Sequence, residues 1–450
     1  ALTIIDNEPK DSDLKSIVLR LGGFHLEMSF LGSIGNIMSG SGLAELMETV
    51  YAPNAVTHMF TGKAVARAAR GHFLIYNALT SLLLCEQFHV SSTVLKDHDT
   101  ENVEHLSSLE DSEIHNENTF IQDLNKLSYI FDEILERHLP VDTLDQNEVL
   151  RKIRDSISTF RKSHIENRTA RLWFLYMDMV DLLRNFIKAE RTGNWTLHLQ
   201  TIKDMLPYFA AAGHNLYLKS AYVYLQQMHG LSRTNPAINE ALMSGFHVMR
   251  RSDRFWSGLS SDLIIEQVLM RCIKTTGGLT RGRGMTDAQR SLWILSMPQC
   301  IQMNEAMQQV TGVNFETSEQ HKEMCIPRKV RDTKDTTTFL DFLGERSPFS
   351  IDKNLRNIET GATGDSNVNS DNALVIGHNI ISSMEGKCID EFVFKRKNQV
   401  TTLSSKLNIK VDNEEISVDP QLLFQRLVTT ANTMFPDLSQ VFKYELSAVP

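Results

Sequence analysis

Cysteine is scarce in this chain, and the few that occur stand apart. The five are Cys85, Cys272, Cys300, Cys325 and Cys388. None forms a C-x-x-C pair, which argues against the usual structural zinc spacing. An odd, scattered set reads as free thiols in a reducing compartment. Long apolar runs are also missing. No stretch reaches the roughly 20 residues needed to span a bilayer, and the longest, around Ala78 to Leu84, falls inside a helical pattern. No segment reads as a secretory leader. The chain opens on Ala1 and reads as a piece of a longer polypeptide. Positive charge is not in excess either: the formal net charge is −9. That excludes a global basic field for nucleic acid and leaves local basic patches.

What is present is a globular composition. The chain has 450 residues, 42% of them hydrophobic, and 8% aromatics. It can bury a sizeable core and by length can hold two or three domains. Ser16–Leu21, "SIVLRL", reads as a short buried strand. "GGFH" follows as a turn, then a glycine-interrupted pair of helices and a long helix from Lys63 to Phe88. Residues 91–118 are acidic and polar and read as a solvated insertion. Helical patterns dominate from Thr119 to about residue 240, with breaks expected near Pro140, Gly193, Pro207 and Gly213. A Gly/Arg loop, "TTGGLTRGRGMT", precedes a helix from Asp287 to about Thr311. The stretch "ETGATGDSNVNSDN" has the composition of a linker, and "LNIKVDNEEISVD" that of a β-hairpin turning near Asp412 and Asn413. There is no internal repeat.

Four sets of residues carry candidate chemistry. His25 stands after a strand and two glycines at the mouth of a helix, the kind of strand end where ligand sites gather. It reads either as a metal ligand or acid/base group, or as a histidine hydrogen-bonded within its turn. Asp262 and Glu266 share one face of a helix at i,i+4. They read either as carboxylates for a divalent cation such as Mg²⁺, or as a helix cap and a dipole partner. Arg250, Arg251 and Arg254 lie beside Phe255 and Trp256, and Arg281 and Arg283 sit among glycines. These arginines are candidate phosphate contacts, against the alternatives of a salt-bridged edge and a flexible loop. No G-K-[ST] follows the glycines, so the loop is not a P-loop. His214, Asn215 and Tyr217, with Tyr222 and Tyr224, read as a buried hydrogen-bond cluster or as stacking groups for bases.

The runs "IVLRLGGFHLEMSFLGSIGNIMSGSGL", "AAAGHNLYLKSAYVYLQQM" and "FHVMRRSDRFWSGLSSDLIIEQVLMRCIKTTGGLTRGRGMT" resemble a multicopy family of uncharacterised animal proteins, over most of the chain. That resemblance implies no activity. The order of features is also similar to RNase-H-like transposases with a helical insertion domain: a buried strand ending in a polar residue, a long helical insertion, then a late helix with an acid. Such enzymes use three metal-binding carboxylates. On that resemblance Glu266 matches the last, and His25 stands where the second, normally Asp, is expected. About fifteen residues precede "SIVLRL", and Asp6, Asp11 and Asp13 do not lie in a strand pattern that would supply the first.

The expected fold is α+β and predominantly α-helical, with a small RNase-H-like β component and a large helical insertion. The expected division is a strand–helix part of the core at 1–90, the acidic insertion at 91–118 and the helical insertion at 119–240. Late core helices at 241–330, a polar linker at 331–375 and a small tail unit at 376–450 follow. The expected function is that of a transposon-derived, nucleic-acid-associated protein whose metal-binding set is incomplete for catalysis. The alternative is a helical protein-interaction scaffold with no catalytic activity. Expected partners are DNA or other proteins and no membrane. Mg²⁺ is the cofactor the candidate acids would take, and the expected location is intracellular, in nucleus or cytoplasm.

Overall fold

A computed structural model describes residues 2–88, 122–123, 125–134, 138–140, 144, 146–250, 256–266, 286–312, 323, 325–350, 353–389, 391–405, 407–411 and 414–418. It is predominantly helical. The helices are α1 (Leu2–Asn7), α2 (Gly23–Ile37), α3 (Leu43–Glu48), α4 (Pro53–Phe60), α5 (Val65–Phe88), α6 (Glu148–Ser163) and α7 (Arg168–Thr192). They continue as α8 (Trp195–Ala212), α9 (Asn215–Thr234), α10 (Pro236–Met243), α11 (Ser261–Ile264), α12 (Asp287–Thr311), α13 (Ile326–Glu345) and α14 (Ala373–Ser382). The strands are β1 (Val248–Arg250), β2 (Gly258–Ser260), β3 (Thr363–Gly364), β4 (Leu407–Val411) and β5 (Glu414–Val418). β1 pairs antiparallel with β2, and β3, β4 and β5 form a three-stranded antiparallel sheet in that order. None of the described helices is long and apolar enough to cross a membrane.

Local chemistry sets many of the helix ends. Pro53 and Pro236 occupy first-turn positions, where the missing N–H costs nothing. Asn147 caps α6 by accepting from the Leu150 amide. Thr286 and Gln289 form a reciprocal capping box on α12, which ends at Gly312 in the left-handed region. Gly193 (φ +71°) and Gly213 (φ +78°) follow α7 and α8 in the same conformation.

The chain folds as two compact units, each discontinuous in sequence. The first comprises Ala1–Phe30, Leu182–Leu206 and His214–Cys325. The second comprises Leu31–Asp181, Pro207–Gly213 and Ile326–Pro450. In the second unit α5 packs along α13, burying Leu74, Ile75, Leu79 and Leu82 on one helix and Phe339, Leu340 and Leu343 on the other. Arg70 of α5 bonds Asp332 and Asp335 of α13 and the Tyr51 hydroxyl. Phe160, Phe174 and Phe349 form an aromatic knot, with Phe174 and Phe349 stacked at 5.1 Å. In the first unit the core gathers Phe186, Trp195, His198, Tyr224 and His247 from α7, α8, α9 and the approach to β1.

The structure corrects several expectations. Ser16–Leu21 is not a strand: Asp13–Ser16 is a 3₁₀ turn, and the residues after it, though extended at Ile17, pair with no strand among the described residues. Branched apolar residues favour an extended backbone, but a strand also needs a neighbour's ladder. Pro207 does not break a helix, because α8 runs through it to Ala212. An internal proline costs about 3 kcal/mol, and here Leu206, Tyr208, Phe209 and Ala210 around it are all buried. Residues 331–345, expected to begin a linker, form most of α13. The "ETGATGDSNVNSDN" stretch is likewise folded: its Asp371 side chain is fully buried against Arg168 and Arg171. The 91–118 insertion lies outside the described residues.

Candidate functional site

Two clusters of chemistry-bearing side chains lie in the first unit. The outer one begins at the α2 N-terminus. A helix start leaves its first amides without partners, and here Gly22 precedes the helix and offers no side chain to cap them. Asp262, 237 residues from His25 in the chain, supplies the cap. Its Oδ1 accepts from the Phe24 amide at 3.1 Å, and its Oδ2 accepts from the His25 amide at 3.0 Å. Oδ2 also lies 2.9 Å from His25 Nδ1. A carboxylate there is favoured by the positive end of the helix dipole. The other ring nitrogen of His25 is Nε2. It stands 3.9 Å from Glu266 Oε1, beyond hydrogen-bond length. The His25 and Glu266 side chains are 39% and 48% exposed, so this cluster is open to solvent.

The two glycines of "GGFH" are needed for space. A Cβ on Gly22 would lie 2.1 Å from Asp262 Oδ2, and one on Gly23 would lie 2.2 Å from Glu190 Oε2. Two carboxylates therefore approach the bare backbone at the head of α2.

The inner cluster is built around Glu190. It occupies the last turn of α7, and His198 the first turn of α8. Gly193 turns the chain between them, and Asn194 Oδ1 accepts from the Leu197 amide to start α8. This tight corner brings His198 Nδ1 to 2.7 Å from Glu190 Oε1. Ser260, at the end of β2, donates to Glu190 Oε2 at 2.6 Å. His198 Nε2 lies 3.2 Å from the Tyr224 hydroxyl. His247 enters just ahead of β1, its ring 5.3 Å from that of His198 and 5.1 Å from that of Trp195. Trp195 stacks on His198 at 5.0 Å. Arg20 donates to the His247 carbonyl at 2.7 Å. Glu190, His198 and His247 are all buried, and one ligand-type atom from each falls within 4.8 Å of the others.

The electrostatics of the inner cluster are set by burial and by Glu190. Burial works to raise the Glu190 carboxyl, but the hydrogen bond and charge of His198, then Ser260 and His247, outweigh it and hold Glu190 below its ordinary value. Burial pushes His247 down to about 4, against the opposing pull of Glu190, so its imidazole is neutral at physiological pH. Neither His247 ring nitrogen has a hydrogen bond of normal geometry, although the Leu242 carbonyl acts on the ring to favour its protonated form. Glu27 is lifted to about 8 by burial and then by Glu190, with Arg191 opposing and Asp262 adding. Its carboxyl is therefore protonated at neutral pH and able to donate. Burial also raises the Tyr224 phenol, with Arg20 opposing.

The residues singled out from sequence thus divide. His25, Asp262 and Glu266 come together. Arg250 donates to the Thr192 carbonyl at the end of α7, a helix C-cap contact. Arg251, Arg254, Arg281 and Arg283 lie outside the described residues. His214 Nδ1 bonds Ser29 Oγ at 2.9 Å and Tyr224 is buried, whereas His214, Asn215, Tyr217 and Tyr222 are only half-buried. Sequence reasoning passed over Glu190, His198, His247, Ser260 and Glu27. The available signals were a glutamate and a histidine flanking the "RTGNW" helix break, and a second "GFH" at Gly245–His247.

A family profile covers residues 1–445 of this chain. The chain belongs to the family described as Domain of unknown function (DUF8702). No curated protein and no solved structure matches it. In this DUF8702 chain the two clusters hold the chemistry-bearing side chains described above.

Proposed function

We propose that this chain is a transposon-derived, nucleic-acid-associated protein that has no catalytic activity of its own. The observation that carries the reading is the disposition of Asp262. Phosphodiester transfer of the RNase-H-like kind uses two metal ions, one for the nucleophile and one for the leaving oxygen, held by several carboxylates. His25, ahead of residues 119–240, lies beside the acids that follow them, which supports the order in the transposase resemblance, although a histidine at the second position departs from its Asp. Yet Asp262 spends its oxygens on the Phe24 and His25 amides and on the His25 ring. Glu266 is then the one acid of the pair free of that duty, and one carboxylate with one imidazole is too few for two Mg²⁺ ions, which prefer oxygen ligands. The RNase-H-like core itself belongs to this proposal. Ile17 is extended in backbone but unpaired with any described strand, and the described sheet of this unit is the two-stranded β1–β2 pair.

The direct test is a cleavage assay. The full chain, with Mg²⁺ or Mn²⁺ and labelled single- and double-stranded DNA, is expected to leave the DNA intact. Strand cleavage that disappears in Glu266→Gln would contradict the proposal.

A second reading, a helical interaction scaffold, draws on α12. Its Leu292, Leu295, Met303, Met307 and Val310 are each more than 60% exposed. Retention of DNA binding after Leu292 and Met303 are changed to Ser would favour the first reading. Absence of DNA binding in the unchanged protein would favour the second. None of the four described cysteines forms a disulfide, which fits the reducing, intracellular setting of this reading.

A further inference from the structure

We propose that Glu190, His198 and His247 form a structural binding site for a single divalent transition cation of the zinc class. Two imidazoles and a carboxylate are the donor set that such ions take, whereas Mg²⁺ and Ca²⁺ favour all-oxygen shells. The three residues come from the end of α7, the start of α8 and the approach to β1. Ligands about 2.1 Å from one tetrahedral ion stand about 3.4 Å apart. The donor atoms here, within 4.8 Å of one another, reach that spacing by small side-chain adjustments.

The independent observation is His247. Its side chain is fully buried, and neither ring nitrogen is satisfied by a hydrogen bond. A buried polar atom left without a partner costs roughly 1–3 kcal/mol. A metal ion at one nitrogen, with the other turned to the Leu242 carbonyl, removes that cost in the way metal-bound histidines commonly do.

The surroundings fit a ligand shell. Ser260 holds Glu190 Oε2 and leaves Oε1 directed at His198 Nδ1. With the ion on Nδ1, the other nitrogen of His198 becomes the N–H and donates to the Tyr224 hydroxyl, 3.2 Å away. The Nδ1 proton that now bridges to Glu190 is displaced, moving to Nε2. Phe186 and Trp195 wall the site with apolar surface. All three ligands are shut from solvent, so the ion would tie the α7–α8 corner to β1 rather than meet a substrate.

The experiment uses the full chain, stripped with a chelator and titrated with Zn²⁺ against a chromophoric competitor. Bound metal is counted by mass spectrometry. One equivalent is expected, with a rise in thermal midpoint on binding. His247→Gln and His198→Gln are expected to weaken binding at least about tenfold. His58→Gln, an exposed histidine on α4 in the second unit, is the control and should bind as the unchanged protein does. Co²⁺ gives a readout that needs no variant: four-coordinate binding produces intense visible bands that Zn²⁺ abolishes. If the variants fail to fold, the Co²⁺ spectrum of the unchanged protein decides the matter. Overturning results are no stoichiometric Zn²⁺, absence of the Co²⁺ bands, or a folded His247→Gln that binds Zn²⁺ undiminished.

Discussion

Asp262 carries two possible meanings that a mutation can separate. As a cap contributed from a distant part of the chain, it serves two backbone amides and one imidazole. Asp262→Ala should cost about 1–2 kcal/mol of stability, and Asp262→Asn, which keeps an acceptor oxygen, should cost less. Chemical denaturation measures both, and equal loss in the two would mean that charge, not capping, is what matters. His72 offers the pH counterpart. Burial drives it down to about 3, and its Nε2 is buried without a partner while Nδ1 meets the Tyr176 hydroxyl at 2.9 Å. The folded protein keeps this ring neutral where the unfolded chain protonates it. Stability is therefore full above the ordinary histidine value of about 6.5 and falls as pH drops towards 3. At pH 4.5 the loss from this one group is roughly 2–3 kcal/mol. His72→Gln should flatten the stability curve between those pH values by one proton, and an unchanged slope would refute the assignment. At this scale the sequence made His25, Asp262 and Glu266 visible, because capping residues and strand-end histidines carry local signatures. It did not expose the Glu190 cluster: His198 is only eight residues from Glu190, but Ser260 and His247 join it from far along the chain.

Among the elements, the helices with strong apolar periodicity and explicit stops were the legible ones. α5, α7 and α12 lie close to where their patterns and flanking glycines placed them. The failures have a common cause, which is that tertiary contacts outweighed local composition. Ser16–Leu21 has strand composition but no ladder partner among the described residues. The 359–372 stretch has linker composition but is anchored by one ion cluster. Arg168 and Arg171 both bond Asp371, whose side chain is fully buried while the arginines are 26% and 34% exposed. Removing one partner of a buried ion pair strands the other charges. Asp371→Ala should cost roughly 2–4 kcal/mol, the lower end reflecting the partial hydration of the arginines. It should also open the 359–372 segment to limited proteolysis. A variant as stable and as resistant as the unchanged protein would return this segment to the status of a linker.

For the whole molecule, the helical class was readable from composition and periodicity, whereas the division into two discontinuous units was not. Three of their five boundaries fall inside helices, in α2, α7 and, at Pro207, α8. Net charge frames the functional proposal: at −9, the chain as a whole repels DNA, so any binding must come from a local patch. Arg250 is engaged with the Thr192 carbonyl, which shifts the expected contacts towards Arg281 and Arg283. Equilibrium binding of the full chain to labelled duplex DNA across a salt series measures this most directly. The account predicts weak, sequence-indifferent binding that falls steeply with salt. The log–log slope should drop by up to about two when Arg281 and Arg283 are both changed to Ala. No detectable binding at the lowest salt, or a slope untouched by the double change, would contradict it.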